Sequence, residues 1–446
     1  MTQSTSKARA DNTTAQREQE PRRVYLVDGA RTPFLKARGR PGPFSPVDLA
    51  VQCGRPLLLR QPIPADAYDQ VILGCVNVVP SEMNPARIAA LRLGMGEAMP
   101  AFTVQINCGS GMQSIDTAYK YIREGDSDLI LAGGTEALSH APMVLQTEAV
   151  EWLAGLNAAS SPQDYARQLG QFSPKDFKPE ISLAKGLTDP IVGLSMGQTA
   201  EVLAQQFNIT RQESDEYAVS SHQRLARAQK EGWLDNEVEP AISPEGALFT
   251  QDDGVRADTS TEALAKLKAA FEPPFGQVTP GNSSQVTDGA SWMVLASEQA
   301  VEKYGLKPKA VLVDSEWAAL DPKIMGLGPV LSSTALLKRH KADLNDIDLW
   351  EINEAFAAQV LACTRAWNDP EFCKVALGLD KAMGKLDPER LNVDGGAVAI
   401  GHPVGTSGNR IVLHLMNSLH RKGLRRGIAT ECIGGGQSGA MLIEAV

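Results

Sequence analysis

One pattern of turn, helix, strand and glycines occurs twice in this chain, and it limits the fold more than any other feature. In the first half, CGSG at 108–111 leads into a helical periodicity. DSDLILAGG then reads as a buried strand ending in two glycines. In the second half, GHPVGTSGNRIVLHLMNSLHRKG precedes GIATECIGGG: again a Gly-rich turn, a helix and a strand running into glycines. A further pair matches as well. The run 24–27, stopped by Asp28-Gly29, and KAVLVD, ending at Val313-Asp314, both read as short buried strands. Two kinds of element repeated in one order imply an internal duplication, with two α/β halves of mostly buried strands. A length of 446 residues leaves room for two such halves and more.

The surplus is concentrated in one place. Residues 139–285 contain polar, Pro-punctuated sequence (SSPQDYARQLGQFSPKDFKPE) and a strong helix, ESDEYAVSSHQRLARAQKEG, ending at Gly232. They read as a loop domain inserted in the first half. VTDGASWMVLAS, from 286, is a strand returning to the core. The expected division is therefore 22–138 with 286–306 as the first half, 139–285 as the insertion and 307–446 as the second half. Residues 1–21 mix acids with bases and lack the apolar core of a secretory signal, and their acids fit a mitochondrial transit peptide poorly. They read as a flexible tail.

Composition narrows the chemistry. The net charge of −10 argues against nucleic-acid binding. Six cysteines without CxxC spacing argue against structural zinc and a disulfide scaffold, so a reducing compartment, the cytoplasm, is expected and no metal. No apolar run approaches the roughly 18 residues of a membrane span.

Four stretches carry candidate chemistry. After Cys108, Met112, Ile115, Tyr119 and Ile122 mark one buried helix face, with Gly125 as a stop. That puts Cys108 at the helix N-terminus, where the dipole is expected to lower its pKa toward neutrality. Gly109 and Gly111 are expected to leave room for a substrate at the sulfur. In NVDGGAVAIGHPVGTSGNR, 392–410, a glycine-dense loop presents His402, whose ordinary pKa suits it to take a thiol's proton and hold the ion pair. In ATECIGGGQSGAMLIEA, 429–445, Cys432 follows a strand and opens onto three glycines able to bring N–H groups to an oxyanion. In DLWEINEAFAAQVLAC, 348–363, Asn353 caps or nearly caps a helix, or else its amide fixes a water or polarises a carbonyl. Standing alone, each has an ordinary alternative: a small buried thiol, a loop histidine, a strand-end cysteine beside a hairpin, a helix cap. The other histidines, His414 and His420 among them, read as packing or surface residues.

Taken together and in this order, Cys-Gly-Ser-Gly-Met, Asn-Glu-Ala-Phe, Gly-His-Pro and Cys-Ile-Gly-Gly-Gly resemble the thiolases, over roughly residues 22–446. The resemblance implies a five-layered αβαβα fold of two similar halves with an inserted loop domain. It implies reversible thiolytic cleavage of 3-ketoacyl-CoA through an acyl-cysteine. By resemblance, Cys108 is the nucleophile, His402 activates it, and Cys432 moves a proton to or from the acetyl carbanion. Asn353 holds a water that forms one oxyanion site with His402, and the N–H groups of Cys108 and Gly434 form the other. Coenzyme A is then a substrate, with no permanently bound cofactor. A homodimer or homotetramer is expected, and a β-oxidation partner subunit is a further expectation.

For CoA contacts, TPGNSSQVTDG resembles the pantetheine loop, with Ser284 at its serine, and DDGVRADTSTEALAKL resembles the nucleotide-end stretch, with Arg256 as its contact. Lys266 and Lys268 would offset the acidic net charge there. Biosynthetic members carry a His before the Met-Gly of the loop domain. Here Ser195 precedes Met196 at that CoA-contacting place, and Ala263 stands where a contact serine is expected. These departures favour a degradative enzyme of fatty-acid β-oxidation over a biosynthetic acetoacetyl-CoA thiolase, which is the alternative. A condensing enzyme shares the fold but pairs its cysteine with different partners, and a non-catalytic scaffold would not need Cys108, His402 and Cys432. The long segments 140–190 and 365–391 are expected to decorate the fold, with Trp152 and Leu153 as apolar docking candidates.

Overall fold

The computed structural model describes residues 21–446, so the expected tail lies outside the described residues except for Pro21. Ten strands join in one sheet: β1 (Val24–Arg31), β2 (Leu35–Lys36), β3 (Gln70–Gly74), β4 (Ala101–Val104), β5 (Leu129–Ala137), β6 (Thr287–Ser297), β7 (Ala310–Ala319), β8 (Leu349–Ile352), β9 (Arg426–Ile433) and β10 (Gln437–Ala445). Their order is β8-β9-β10-β7-β1-β6-β5-β3-β4, with β2 against β6. The duplication is visible in the pairing. From β1 outward the contacts run antiparallel, antiparallel, parallel (β1-β6-β5-β3), and from β7 they do the same (β7-β10-β9-β8). The halves meet where β1 and β7 pair at Val24–Leu312, Tyr25–Val311 and Leu26–Ala310.

Asp28-Gly29 and Asp314, expected to end their strands, do not. Each Asp follows a register shift, between Leu26 and Asp28 in β1 and between Leu312 and Asp314 in β7. A bulge re-aims the strand and lets a charged residue continue it. Asp28 accepts from Arg60 at 2.6 Å and Lys309 at 2.7 Å, and Asp314 from Arg339 at 2.6 Å. Gly133 and Gly134 also lie inside their strand rather than at its end, because Trp292 and the Gly405 backbone fill the space that side chains would need.

Eight helices matter here: α1 (Pro46–Leu59), α2 (Pro85–Arg92), α3 (Ser110–Glu124), α4 (Met196–Gln206), α5 (Arg211–Lys230), α6 (Gly328–Arg339), α7 (Ala357–Asn368) and α8 (Val404–Lys422). Three apolar clusters stack them into five layers. Val47 and Leu57 of α1 and Ala86 and Ala90 of α2 pack on Val71, Leu131 and Trp292 of the first half-sheet. Val330 and Leu336 of α6 and Val360 of α7 pack on Trp350, Ile428 and Leu442 of the second. Between the half-sheets, Met112 and Ile115 of α3 interdigitate with Ile411 and Leu415 of α8, and both half-sheets close on them. The order is α1/α2, sheet, α3/α8, sheet, α6/α7.

The two central helices touch backbone to backbone at their N-termini. A Cβ on Gly111 would stand 2.8 Å from Asn409 N and 2.9 Å from Thr406 O, and one on Gly408 would stand 2.6 Å from Met112 N. The small residues therefore serve helix contact, not substrate room. Gly109 likewise lies against the Ile433 side chain. Because Cys108 precedes α3 and His402 precedes α8, this contact brings those two residues to one spot.

Residues 139–285 add no strand to the large sheet. They carry α4, α5 and two small hairpin-like pairs, Met143–Val144 with Glu180–Ile181 and Ala241–Ile242 with Leu248–Phe249. Trp152, expected to face outward, stacks edge-on against Phe172 and Phe177, with centroids at 5.3 and 5.4 Å, while Leu153 is 41% exposed. Among the described residues no helix is long and apolar enough to cross a membrane.

A buried ion chain ties this segment to both halves. Arg31 on β1 donates to Asp252 at 2.7 and 3.0 Å and to Glu237 at 2.9 Å. Glu237 meets His414 of α8 at 3.0 Å, and His414 lies 3.3 Å from Asp394. His414, expected as a packing or surface residue, is thus a buried cation. Burial alone would lower its pKa, but Glu237, Asp394 and Glu351 outweigh that and raise it from 6.5 to about 10. An imidazole held above its ordinary value stabilises the fold fully below pH 6.5, and that contribution is lost as pH rises through about 10. We expect His414→Gln to lower unfolding stability at neutral pH by about 3–5 kcal/mol, since it strands buried carboxylates. Urea melts across pH 6.5 to about 10 should converge for the two proteins, and a constant difference would contradict this assignment.

Candidate active site

Cys108 stands one residue before Gly109, the N-cap of α3, and helix and thiol meet as the sequence predicts. Asn107 is held at φ 47°, and its Nδ2 donates to the Gly434 carbonyl at 2.8 Å. This bond pins the glycine turn after β9 beside the sulfur. Gly434 and Cys108 line one cavity together. Cys432 lies within β9, one residue before its end, rather than after a strand, and is 1% exposed.

His402 is buried, not displayed by its glycine-dense loop. Its own N–H donates to the Gln285 carbonyl at 3.0 Å. Its Nδ1 lies 2.6 Å from Ser407 Oγ, and Ser407 donates its hydroxyl proton to the Pro403 carbonyl at 3.3 Å. Ser407 therefore accepts from Nδ1–H, and Nε2 keeps the lone pair. Ser407 went unnoticed in the sequence, although it lies five residues past the histidine, in the first turn of α8. Asn353, expected to cap a helix, does not, since α7 starts at Ala357 with Phe356 as its N-cap. It is fully buried just past β8, with Nδ2 3.4 Å from His402 Nε2 and Oδ1 without a protein partner.

Cys108, His402 and Cys432 line one cavity of about 340 Å³. Ser195, Met196 and Ser284 line it too, and the Ser195 hydroxyl is engaged in capping α4, where it accepts from Gln198 N–H at 3.3 Å. Phe271, Met325 and Phe356 complete its apolar wall, unmarked in the sequence because nothing distinguishes them from core residues. Arg256 does not line the cavity. Its side chain is exposed, and its N–H donates to Nδ1 of buried His222 at 3.2 Å. Lys266 and Lys268 are exposed as well. Cys108 also lines a second, adjoining cavity of about 460 Å³, which shares Leu138, Leu183, Leu187 and Met196 with the first and adds Val76 and Ile191.

The expected low-pKa thiol is not found. Burial pushes Cys108 up to about 11, against the opposing pull of the Gly434 amide. Burial, with a further push from the Arg410 charge, brings His402 down to about 4. Both groups are neutral in the wide range between, so the resting pair is thiol and imidazole rather than an ion pair. The Cys432 thiol is raised still further, by burial first and then by the neighbouring Cys108 and Cys363. Two neutral sulfhydryls and a neutral base around one apolar cavity can exchange protons with a bound substrate without holding a charge at rest.

The sequence profile of the thiolase N-terminal domain matches residues 24–299, and that of the thiolase C-terminal domain matches residues 306–445. A probable acetyl-CoA acyltransferase of Staphylococcus aureus (strain COL) is 37% identical over 426 residues, covering 95% of this chain and 99% of the relative. A crystal structure of the Bacillus anthracis acetyl-CoA acetyltransferase superposes with a TM-score of 0.82 at 35% identity, covering 96% of this chain and 100% of that one. Human mitochondrial 3-ketoacyl-CoA thiolase in complex with CoA superposes with a TM-score of 0.83 at 36% identity, covering 95% of this chain and 98% of that one.

The neutral resting pair has a measurable signature. Alkylation of Cys108 by iodoacetamide should accelerate steadily with pH toward about 11, with no plateau near neutrality. A rate that levels off around pH 7 would reveal a resting thiolate and contradict this reading.

Proposed function

The chain belongs to the thiolase family of acyltransferases, and from that premise we propose that it cleaves 3-ketoacyl-CoA of medium chain length with free CoA. Cys108 attacks C3 as His402 Nε2 takes its proton. The C2–C3 bond breaks, leaving an acyl thioester on Cys108 and the enolate of acetyl-CoA, and Cys432 gives its proton to C2. The imidazolium then returns a proton to Cys432. In the second half CoA gives its thiol proton to His402, attacks the acyl thioester, and Cys108 leaves and recovers that proton. Covalent capture divides the reaction into two easier steps. The amides of Cys108 and Gly434 suit the oxyanion on the acyl carbon, and Asn353 with His402 suits the enolate oxygen.

One observation carries the chain-length reading: the apolar space at Cys108 extends beyond the part lined by His402 and Cys432, past Val76 and Ile191. The cavity with His402, Cys432 and Ser284 suits the thiol-bearing arm of CoA. The second, about 460 Å³ and walled by aliphatic side chains, suits an acyl chain extending away from the same sulfur. A four-carbon substrate would leave it unfilled. Ser195, in place of the histidine expected of biosynthetic members, supports the same degradative direction.

Steady-state thiolysis of 3-ketodecanoyl-CoA and acetoacetyl-CoA tests this. We expect the ten-carbon substrate to have the higher kcat/KM. Val76→Phe, which fills the second cavity, should lower it by about 10-fold or more for the ten-carbon substrate while leaving acetoacetyl-CoA nearly unchanged. A strong preference of the native chain for acetoacetyl-CoA would favour the biosynthetic alternative and overturn the proposal.

A further inference from the structure

Next to Asn353 stands a buried carboxylate that the reaction as described does not use. Glu354 is 1% exposed, and its two oxygens accept four hydrogen bonds from two parts of the chain. Oε1 takes Tyr217 Oη–H at 2.9 Å and Asn392 Nδ2–H at 2.9 Å. Oε2 takes Ser221 Oγ–H at 2.7 Å and the Val398 backbone N–H at 3.1 Å. Tyr217 and Ser221 come from α5 of the inserted segment. Asn392 and Val398 belong to the stretch that runs into His402.

That stretch is wrapped around the carboxylate. A Cβ on Gly396 would stand 2.5 Å from Glu354 Cδ, and Gly396 N–H donates to Ser221 Oγ at 3.1 Å. Asn392, at φ 45°, also clasps Ile352, accepting from its N–H and donating to its carbonyl, each at 2.9 Å. Ile352, Asn353 and Glu354 are consecutive, so the residues on both sides of Asn353 are bonded to the His402 stretch. The Asn353 side chain makes only the long 3.4 Å contact to His402 Nε2, while its backbone N–H donates to the Thr430 carbonyl at 3.0 Å. A side-chain contact that weak does not hold its own geometry. The backbone bond to Thr430 ties Asn353 to β9, and its two neighbours tie it to the His402 stretch.

We propose that Glu354 is a positioning residue that keeps Asn353 in register with His402 for the carbon–carbon step; this rests on the thiolase reading above. Neither Cys108 nor Gly434 is bonded to Glu354, and Glu354 lines neither cavity at Cys108. Its loss should therefore impair stabilisation of the enolate and spare exchange of one thioester for another.

The same octanoyl-Cys108 can be formed by two routes, and their rates separate the effects. From 3-ketodecanoyl-CoA it forms by C2–C3 cleavage, with release of acetyl-CoA. From octanoyl-CoA it forms by thioester exchange, with release of CoA and no carbon–carbon chemistry. In Glu354→Gln, rapid-quench mass spectrometry should show the first route slowed by about 10- to 100-fold and the second by less than about 3-fold. Ser221→Ala, which removes one of the four donors, should shift the ratio in the same direction by less and serves if the first variant does not fold. Equal slowing of both routes would assign Glu354 a purely structural role, and no slowing of either would also overturn the inference. A wild-type chain that forms octanoyl-Cys108 by neither route would overturn the thiolase reading itself, and this inference with it.

Discussion

The backbone contact between the N-termini of the two central helices is the constraint on which the site depends. It exists only because Gly111 and Gly408 carry no side chain. Each helix is preceded by one reactive residue, so their approach sets thiol against imidazole without either loop needing to be long or mobile. The third reactive residue comes from the second half-sheet: β9 packs under α8 and delivers Cys432 to the same cavity. A duplicated α/β unit thus yields a composite site that neither half holds alone.

Burial decides the electrostatics of that site. A helix N-terminus favours a thiolate by a fraction of a kcal/mol to about 2 kcal/mol. Removing a charge from water costs more than that, and here the apolar walls win. The consequence is a site at rest with its protons in place, which forms charge only as substrate arrives. Elsewhere in the molecule burial loses: His414 is equally enclosed, yet two carboxylates within 3.3 Å keep it charged. The two histidines share one helix region and differ in what faces them.

Much of this was legible in the sequence because it is local or periodic. The paired turn–helix–strand units, the return strand near 287 and the helix after Cys108 follow from apolar spacing and glycine stops. The order of the four motifs carried the family. What the sequence did not disclose depends on partners distant in the chain. Asp28 and Asp314 look like strand ends until the bulges and their arginine partners are seen. Asn353 looks like a cap until α7 is found to begin four residues later. Gly109 and Gly111 look like substrate clearance until the neighbouring Ile433 side chain and α8 backbone appear. The thiol's pKa followed the dipole in sequence and the surroundings in space.

The central claim is that one sulfur carries the acyl group while the other moves a proton on carbon. Mapping the adduct by mass spectrometry after mixing the protein with 3-ketodecanoyl-CoA, in the absence of free CoA, tests it most directly. The account predicts an octanoyl group on Cys108 alone, absent from Cys108→Ala. An adduct on Cys432 instead, or one that persists in Cys108→Ala, would contradict it.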